Sequence, residues 1–144
     1  MKVNKNFEVP NERTELEKLL VTTLDDMEIS LEQPKIDTLY DDFNFTRIAK
    51  SGDLEITHRK SYDGKEAHEY LGILNTKYEK GKVGSIDIYV RGNKVSEIDD
   101  GGVKETEKHI NTILKAMKQD KLRNYKDAVK FVKFAMNYFD HNQS

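Results

Sequence analysis

Apolar residues recur at helical spacing near the start of the chain. They predict an amphipathic helix that ends near residue 26 and begins between residues 12 and 15. The apolar positions that repeat are Leu16, Leu19, Leu20, Leu24 and Met27. Thr14 and Glu17 stand three residues apart at the predicted start. This is the spacing of a capping box, in which each residue binds the free backbone N–H of the other.

The pattern changes after Phe43, where glycine-containing turns separate runs of strand-forming residues. The turn segments read KSGD, YDGK, EKGKVG, RGN and DDGG. Short strands separated by such turns indicate an antiparallel meander. We predict strands over residues 43–49, 54–61, 67–77, 84–91 and 94–98. The preceding segment, residues 28–42, contains Pro34, which favours a loop with at most a short edge strand.

Within these strands, apolar and polar residues alternate, so one face of the sheet should be covered and the other wet. Leu54, Ile56 and His58 alternate with Glu55, Thr57 and Arg59, and Ile86, Ile88 and Val90 alternate with Ser85, Asp87 and Tyr89. Alternate residues of a strand point to opposite faces. Helices must therefore cover one face of the sheet.

Two further helices are predicted after the last glycine turn, over residues 104–118 and 124–139. The first has one apolar stripe, which includes Ile110, Ile113, Leu114 and Met117, and so packs on one side only. Asn124 is placed to cap the second. With no repeat and no long linker, the chain is predicted to be a single α+β domain over residues 1–144.

The last helix contains more apolar residues than one docking face requires. A broad core stripe comprises Tyr125, Ala128, Val129, Val132, Ala135, Met136 and Phe139. Phe131, Phe134 and Tyr138 form a second sector on one flank, and Lys126, Lys130 and Lys133 lie on the opposite flank. The second sector has two interpretations. It is buried between the sheet and helix 104–118, or it is exposed and contacts another protein or a second copy of the chain.

The charge is unevenly distributed along the sequence. The whole chain carries 24 basic and 26 acidic residues, a formal charge of −2, but acids outnumber bases by eight over residues 8–46. Bases outnumber acids by five over residues 103–139. The acidic third, with Asp25, Asp26, Asp41 and Asp42, suggests a mimic of the phosphate array that occupies the basic groove of a nucleic-acid enzyme. Inhibitors encoded by phages and mobile elements are similar in type, though not in sequence.

Candidate catalytic chemistry is sparse. The chain has no cysteine and four histidines, and the spacing of the histidines does not indicate a metal site. No phosphate-binding loop or nucleophile turn is readable, and no cofactor is expected. His58 lies on the apolar face of a predicted strand, where it is either a hydrogen-bonded core residue or a general base.

These features favour a protein that binds a macromolecule without catalysing a reaction. We expect a small inhibitor, immunity or adaptor protein that acts through protein–protein contact. The alternative is a nucleic-acid-binding protein in which lysines of the last two helices neutralise phosphates and an aromatic residue stacks on a base. The sequence contains no long apolar segment, so we expect a soluble, cytoplasmic protein.

Overall fold

A computed structural model describes residues 13–33, 35–39, 42–62, 67–76 and 85–141. Three helices and six strands occur in these ranges. In chain order they are α1 (Glu15–Asp26), β1 (Lys35–Leu39), β2 (Asp42–Ser51), β3 (Leu54–Tyr62), β4 (Ala67–Asn75), β5 (Ile86–Arg91), β6 (Lys94–Asp99), α2 (Lys104–Ala116) and α3 (Tyr125–His141).

The six strands form one antiparallel sheet in which spatial order follows chain order. This arrangement confirms the predicted α+β fold, with an N-terminal helix, a meander and two C-terminal helices. The five predicted strands correspond to β2–β6, although the predicted strand ends at residues 77 and 84 lie outside the described residues. β1 is the edge strand next to β2, within the segment expected to be a loop with at most a short edge strand.

The two faces of the sheet differ as the alternating pattern predicted. A buried row crosses four strands through Ala49, Ile56, Ile73 and Ile86. The helices pack on this face. The residues between these buried positions point away from the helices, and we call that side the outer face. It includes Arg59 on β3 and Tyr89 on β5, both exposed.

α3 lies in the middle of the helix layer, because it contacts α1, α2 and the strands β4, β5 and β6. Met27, which follows α1, and Met136, near the end of α3, line one pocket beside the β2–β3 turn. The C-terminal ends of α1 and α3 therefore lie at the same end of the sheet, and the two helices run in roughly the same direction.

The predicted N-caps are present, but the capping box is only half formed. The Thr14 hydroxyl accepts a hydrogen bond from the Glu17 backbone N–H at 3.1 Å, and Asn124 Oδ1 accepts one from the Asp127 N–H at 3.0 Å. The Glu17 carboxylate is instead turned into the sheet. Its Oε1 accepts a hydrogen bond from Lys60 Nζ at 2.6 Å, and its Oε2 lies 3.3 Å from Arg47 Nε.

These contacts make a buried charged cluster beneath the first turn of α1. Glu17 is 2% exposed and Lys60 is 3% exposed. Burial by itself raises the pKa of the Glu17 carboxyl, but the hydrogen bond and charge of Lys60, with His58 and Arg47, outweigh it and hold the pKa below its ordinary value of 4.5. The cluster therefore favours the ionised carboxylate and attaches α1 to β2 and β3.

Replacing Glu17 with Gln should destabilise the protein by about 3–5 kcal/mol, because the buried ion pair between Glu17 and Lys60 would be broken from one side. The measurement is urea-induced unfolding followed by circular dichroism at pH 7. Glu15→Gln is the matched control on the same helix, since Glu15 is exposed and its removal should change stability by less than about 1 kcal/mol. Equal effects of the two variants would contradict the role given to Glu17.

The same pair of proteins should differ in their response to acid. A carboxylate whose folded-state pKa is lowered contributes stability above its unfolded pKa and loses it as pH falls through the folded value. The difference in unfolding free energy between wild type and Glu17→Gln should therefore be largest above about pH 4.5 and shrink below it. A difference that stayed constant down to strongly acidic pH would show that Glu17 does not titrate as described.

Candidate functional site

The three lysines predicted on the flank of α3 opposite the aromatic sector are exposed. Lys126, Lys130 and Lys133 recur at intervals of four and three residues, so they follow one stripe of the helix surface. The core stripe of α3 is buried on the opposite side, with Val129, Val132 and Phe139 at 1% exposure or less. The lysine stripe therefore lies at the centre of the solvent-facing side of the helix layer.

The aromatic sector is not an exposed stripe. Phe131 is 0% exposed, which corrects its assignment to a contact surface and supports the interpretation in which this sector is core. Tyr138 lies against α2, where its hydroxyl is 2.5 Å from His109 Nδ1. Since α3 is central in the helix layer, α2 covers the flank of α3 that contains this sector. This is the arrangement expected if the sector is buried between the sheet and helix 104–118.

The rest of the aromatic sector is partly covered. Tyr138 and Phe139 both contact the His109 ring, with ring centroids 5.2 and 5.4 Å apart. Burial lowers the pKa of His109 against the opposing charge of Glu105, which favours a neutral imidazole beside these rings. Phe134 is half-buried, and Lys130 Nζ lies 5.8 Å from its ring centroid. A role for Phe134 and Tyr138 in partner binding stays a prediction.

The acidic residues predicted as a contact surface that the structure describes belong to two different elements. Asp25 and Asp26 are exposed in the last turn of α1. Asp42 is the first residue of β2, and only its backbone is described. Asp41 lies outside the described residues. Of the acidic array predicted over the first third of the chain, the structure describes the part on α1 and the exposed Glu28 and Glu32 that follow it.

The structure brings the acidic helix and the basic helix together, since α1 packs directly against α3. The exposed charges of α1 are mainly negative, and those of the lysine stripe are positive. We call the solvent-facing side of this helix pair the mixed-charge surface; it comprises Glu15, Lys18, Asp25, Asp26, Lys126, Lys130 and Lys133. Charges of both signs on one surface can bind a partner of complementary charge pattern.

A pocket of about 340 Å³ lies at the end of this helix pair. Met27 and Ile29 form one wall, residues 51–54 form the second, and Met136 and Asn137 of α3 form the third. Methionine side chains adapt to the shape of what they contact. Asp53 and Asn137 add polar groups to the lining. The pocket has the size and composition to accept one side chain of a bound protein.

His58 is a hydrogen-bonded core residue. It is 1% exposed, and its Nε2 lies 2.8 Å from Glu69 Oε2. The Thr14 hydroxyl donates to the same carboxylate oxygen at 2.6 Å. The other ring nitrogen, Nδ1, has no hydrogen-bond partner among the described residues. A general base must reach the proton it abstracts, and this imidazole is enclosed between α1 and the sheet.

The sequence patterns did not predict the buried charged cluster. They assigned Glu17 to a capping box and gave no role to Lys60 or Glu69. A usable signal was present, because the alternation of Leu54, Ile56 and His58 continues inward to Lys60. A lysine at an inward position requires a buried anion, which the structure supplies as Glu17. No pattern in the sequence indicates that α1 packs against α3.

Replacing Phe131 with Ala should destabilise the protein by about 3–5 kcal/mol, the usual cost of removing a fully buried aromatic ring. Lys133→Ala, two residues away on the exposed flank of the same helix, should change stability by no more than about 0.5 kcal/mol. Chemical denaturation of both variants and wild type provides the comparison. If Phe131→Ala were as stable as the control, the aromatic sector would not be core.

Comparison of the chain with protein-family models, with curated proteins and with solved structures found no match. Within the described ranges, the helices are too short or too polar to cross a membrane, and no three histidine or carboxylate side chains are grouped to hold a metal ion. The roles assigned to residues therefore rest on the geometry of this chain alone.

Proposed function

We propose that this protein acts by binding another protein through the mixed-charge surface, with no chemical step, as a small inhibitor, immunity or adaptor protein. The observation that carries the proposal is the packing of α1, which has exposed acids, against α3, which has the exposed lysine stripe. A protein partner can present both signs of charge in a matching pattern. The pocket at the end of the helix pair supplies a place for one partner side chain.

The acidic residues at the C-terminal end of α1 support a role in binding, because their charges destabilise the helix that carries them. Asp25 and Asp26 lie in the last turn, which has no basic residue. Carboxylates at this end oppose the helix dipole by about 0.3–1 kcal/mol each. Glu28 follows with a φ of 61°, a conformation that costs a non-glycine residue about 1–2 kcal/mol. Contact with a cationic partner surface would explain why acids occupy these positions.

The same surface argues against the other two binding modes. A phosphate-mimicking surface would be acidic throughout, but the lysine stripe lies next to α1. Nucleic acid is the second candidate, and the exposure of Lys126, Lys130 and Lys133 favours it. Phosphates bound by that stripe would, however, lie close to α1, whose acids repel them. A partner that carries both charges avoids this conflict.

Two charge-reversal variants distinguish a protein partner from nucleic acid. The first is Asp25→Lys with Asp26→Lys, and the second is Lys126→Glu with Lys130→Glu. All four positions are exposed, so both variants should fold as wild type does by circular dichroism. Each protein is immobilised and exposed to extract from the source cells with and without nuclease, and each is also titrated with a labelled DNA duplex.

We expect immobilised wild type to capture one protein from nuclease-treated extract, and we expect neither variant to capture it. Binding of the duplex by wild type should be no tighter than non-specific binding, about 10⁻⁴–10⁻⁶ M at physiological salt. If nucleic acid is the true ligand, the lysine reversal will weaken duplex binding and the aspartate reversal will strengthen it. That pair of results, with no protein lost from the aspartate variant, would overturn the proposal.

A further inference from the structure

The outer face of the sheet carries apolar surface that none of the three described helices covers. Leu74 on β4 is 39% exposed and Tyr89 on β5 is 38% exposed, and they are the exposed large hydrophobic residues of the described part of the chain. Both point to the outer face. Tyr70 and Ile48 on the same face are half-buried. Tyr70 and Tyr89 are paired, with ring centroids 5.4 Å apart, and contiguous exposed apolar surface of this kind marks contact surfaces.

The tyrosine at the centre of this face is held in place. The Tyr70 hydroxyl donates to Asp87 Oδ1 at 2.5 Å, and Ser85 donates to the same oxygen at 2.8 Å. The Tyr70 hydroxyl also lies above Gly72, where an added Cβ would overlap it. Arg59 stands 5.2 Å from the Tyr70 ring centroid. A side chain fixed before binding loses little entropy when a partner covers it.

The strand register arranges the outer face as a row that changes charge from one side to the other. Paired positions run across all six strands in the order Lys35, Thr46, Arg59, Tyr70, Tyr89 and Glu97. The basic residues of this row lie on β1 and β3, and its acid lies on β6. The next row adds Asp87 and Asp99 to the acidic side.

The strand register places the acids of these two rows around Tyr89. Partial burial raises the pKa of the Tyr89 hydroxyl, and the charges of Asp87, Asp99 and Glu97 raise it further, against the opposing effect of Arg59. Arg91 and Lys94, which are paired next to the β5–β6 turn and lie away from the central row, are basic residues on this side. The central part of the face therefore has a basic half and an acidic half, with tyrosines between them.

We propose that the outer face binds a second copy of this chain in a two-fold symmetric dimer. A two-fold axis that runs parallel to the strands above Tyr70, in the plane between two facing sheets, exchanges the two halves of the face. It places the basic half, Lys35 and Arg59, of each copy against the acidic half, Asp87, Glu97 and Asp99, of the other. Every favourable contact is then made twice, as in other isologous interfaces.

This dimer does not depend on the proposed function. The mixed-charge surface belongs to the helix layer, on the opposite side of the sheet, and it stays exposed in both copies. A different protein with a cationic surface is the other possible occupant of the outer face. Such a partner would contact the acidic half, but it would leave Lys35 and Arg59 opposite like charges. The second copy matches both halves.

Charge reversal tests the symmetry as well as the surface. Sedimentation velocity across a wide range of concentration should show that wild type is a dimer. Arg59→Glu places acid against acid twice, and Glu97→Arg places base against base twice. Each variant should therefore weaken the dimer by at least about tenfold. Lys115→Glu, an exposed change on α2, is the control and should leave the dimer unchanged.

Mixing the two weakened variants is the decisive step. In a two-fold dimer, the Arg59→Glu copy and the Glu97→Arg copy complement each other at both contacts, so an equimolar mixture should form a heterodimer. The double variant Arg59→Glu/Glu97→Arg should form a homodimer. Circular dichroism checks that each variant is folded, which both exposed positions allow.

Any of three results would overturn the dimer: a wild type that is monomeric at every concentration, single variants that dimerise as wild type does, or a mixture of folded variants that stays monomeric. If an added protein protects Tyr89 from chemical iodination in a monomeric wild type, the occupant is that other protein and the dimer is rejected. None of these results bears on the mixed-charge surface, because the reversals that test it lie on α1 and α3.

Discussion

The buried carboxylate of Glu17 sets the position of α1, and the arrangement of the helix layer depends on it. Its contacts with Lys60 and Arg47 hold the first turn of α1 over β2 and β3. Thr14 adds a second attachment by donating to Glu69. Leu20 and Leu24 further along α1 are then buried against the core. The same placement brings α1 beside α3, so a buried ionic contact determines which charges are neighbours on the surface.

Buried ion pairs seldom add much net stability, because desolvation offsets most of their attraction. Their effect here is on specificity. An amphipathic helix with leucines on one side could slide or rotate on an apolar sheet at little cost. Moving Glu17 away from Lys60 would break a buried hydrogen bond between opposite charges. The cluster therefore restricts α1 to one register, whereas α3 is fixed by contacts on three sides with the sheet and both other helices.

The fold was readable from sequence where the signal was local. Alternation identified the inner and outer residues of β3 and β5, and Thr14 and Asn124 identified two helix starts. The sequence did not reveal which elements pack against each other across the fold. Phe131 lies outside the main apolar stripe of α3, and only the location of α2 shows that it is buried. Likewise, the row from Lys35 to Glu97 depends on the strand register. The turns between strands set this register, and the pattern within a single strand does not reveal it.

The order of the elements along the chain has a consequence for folding during synthesis. The meander forms from strands that are neighbours in sequence, and such local pairing is fast. α1 precedes the sheet in the chain, but it packs against α3, which follows the sheet. The leucines of α1 therefore have no partner in α3 until the whole sheet and α2 have been synthesised. A half-made chain would expose this apolar stripe, the kind of surface that chaperones bind and that leads to aggregation.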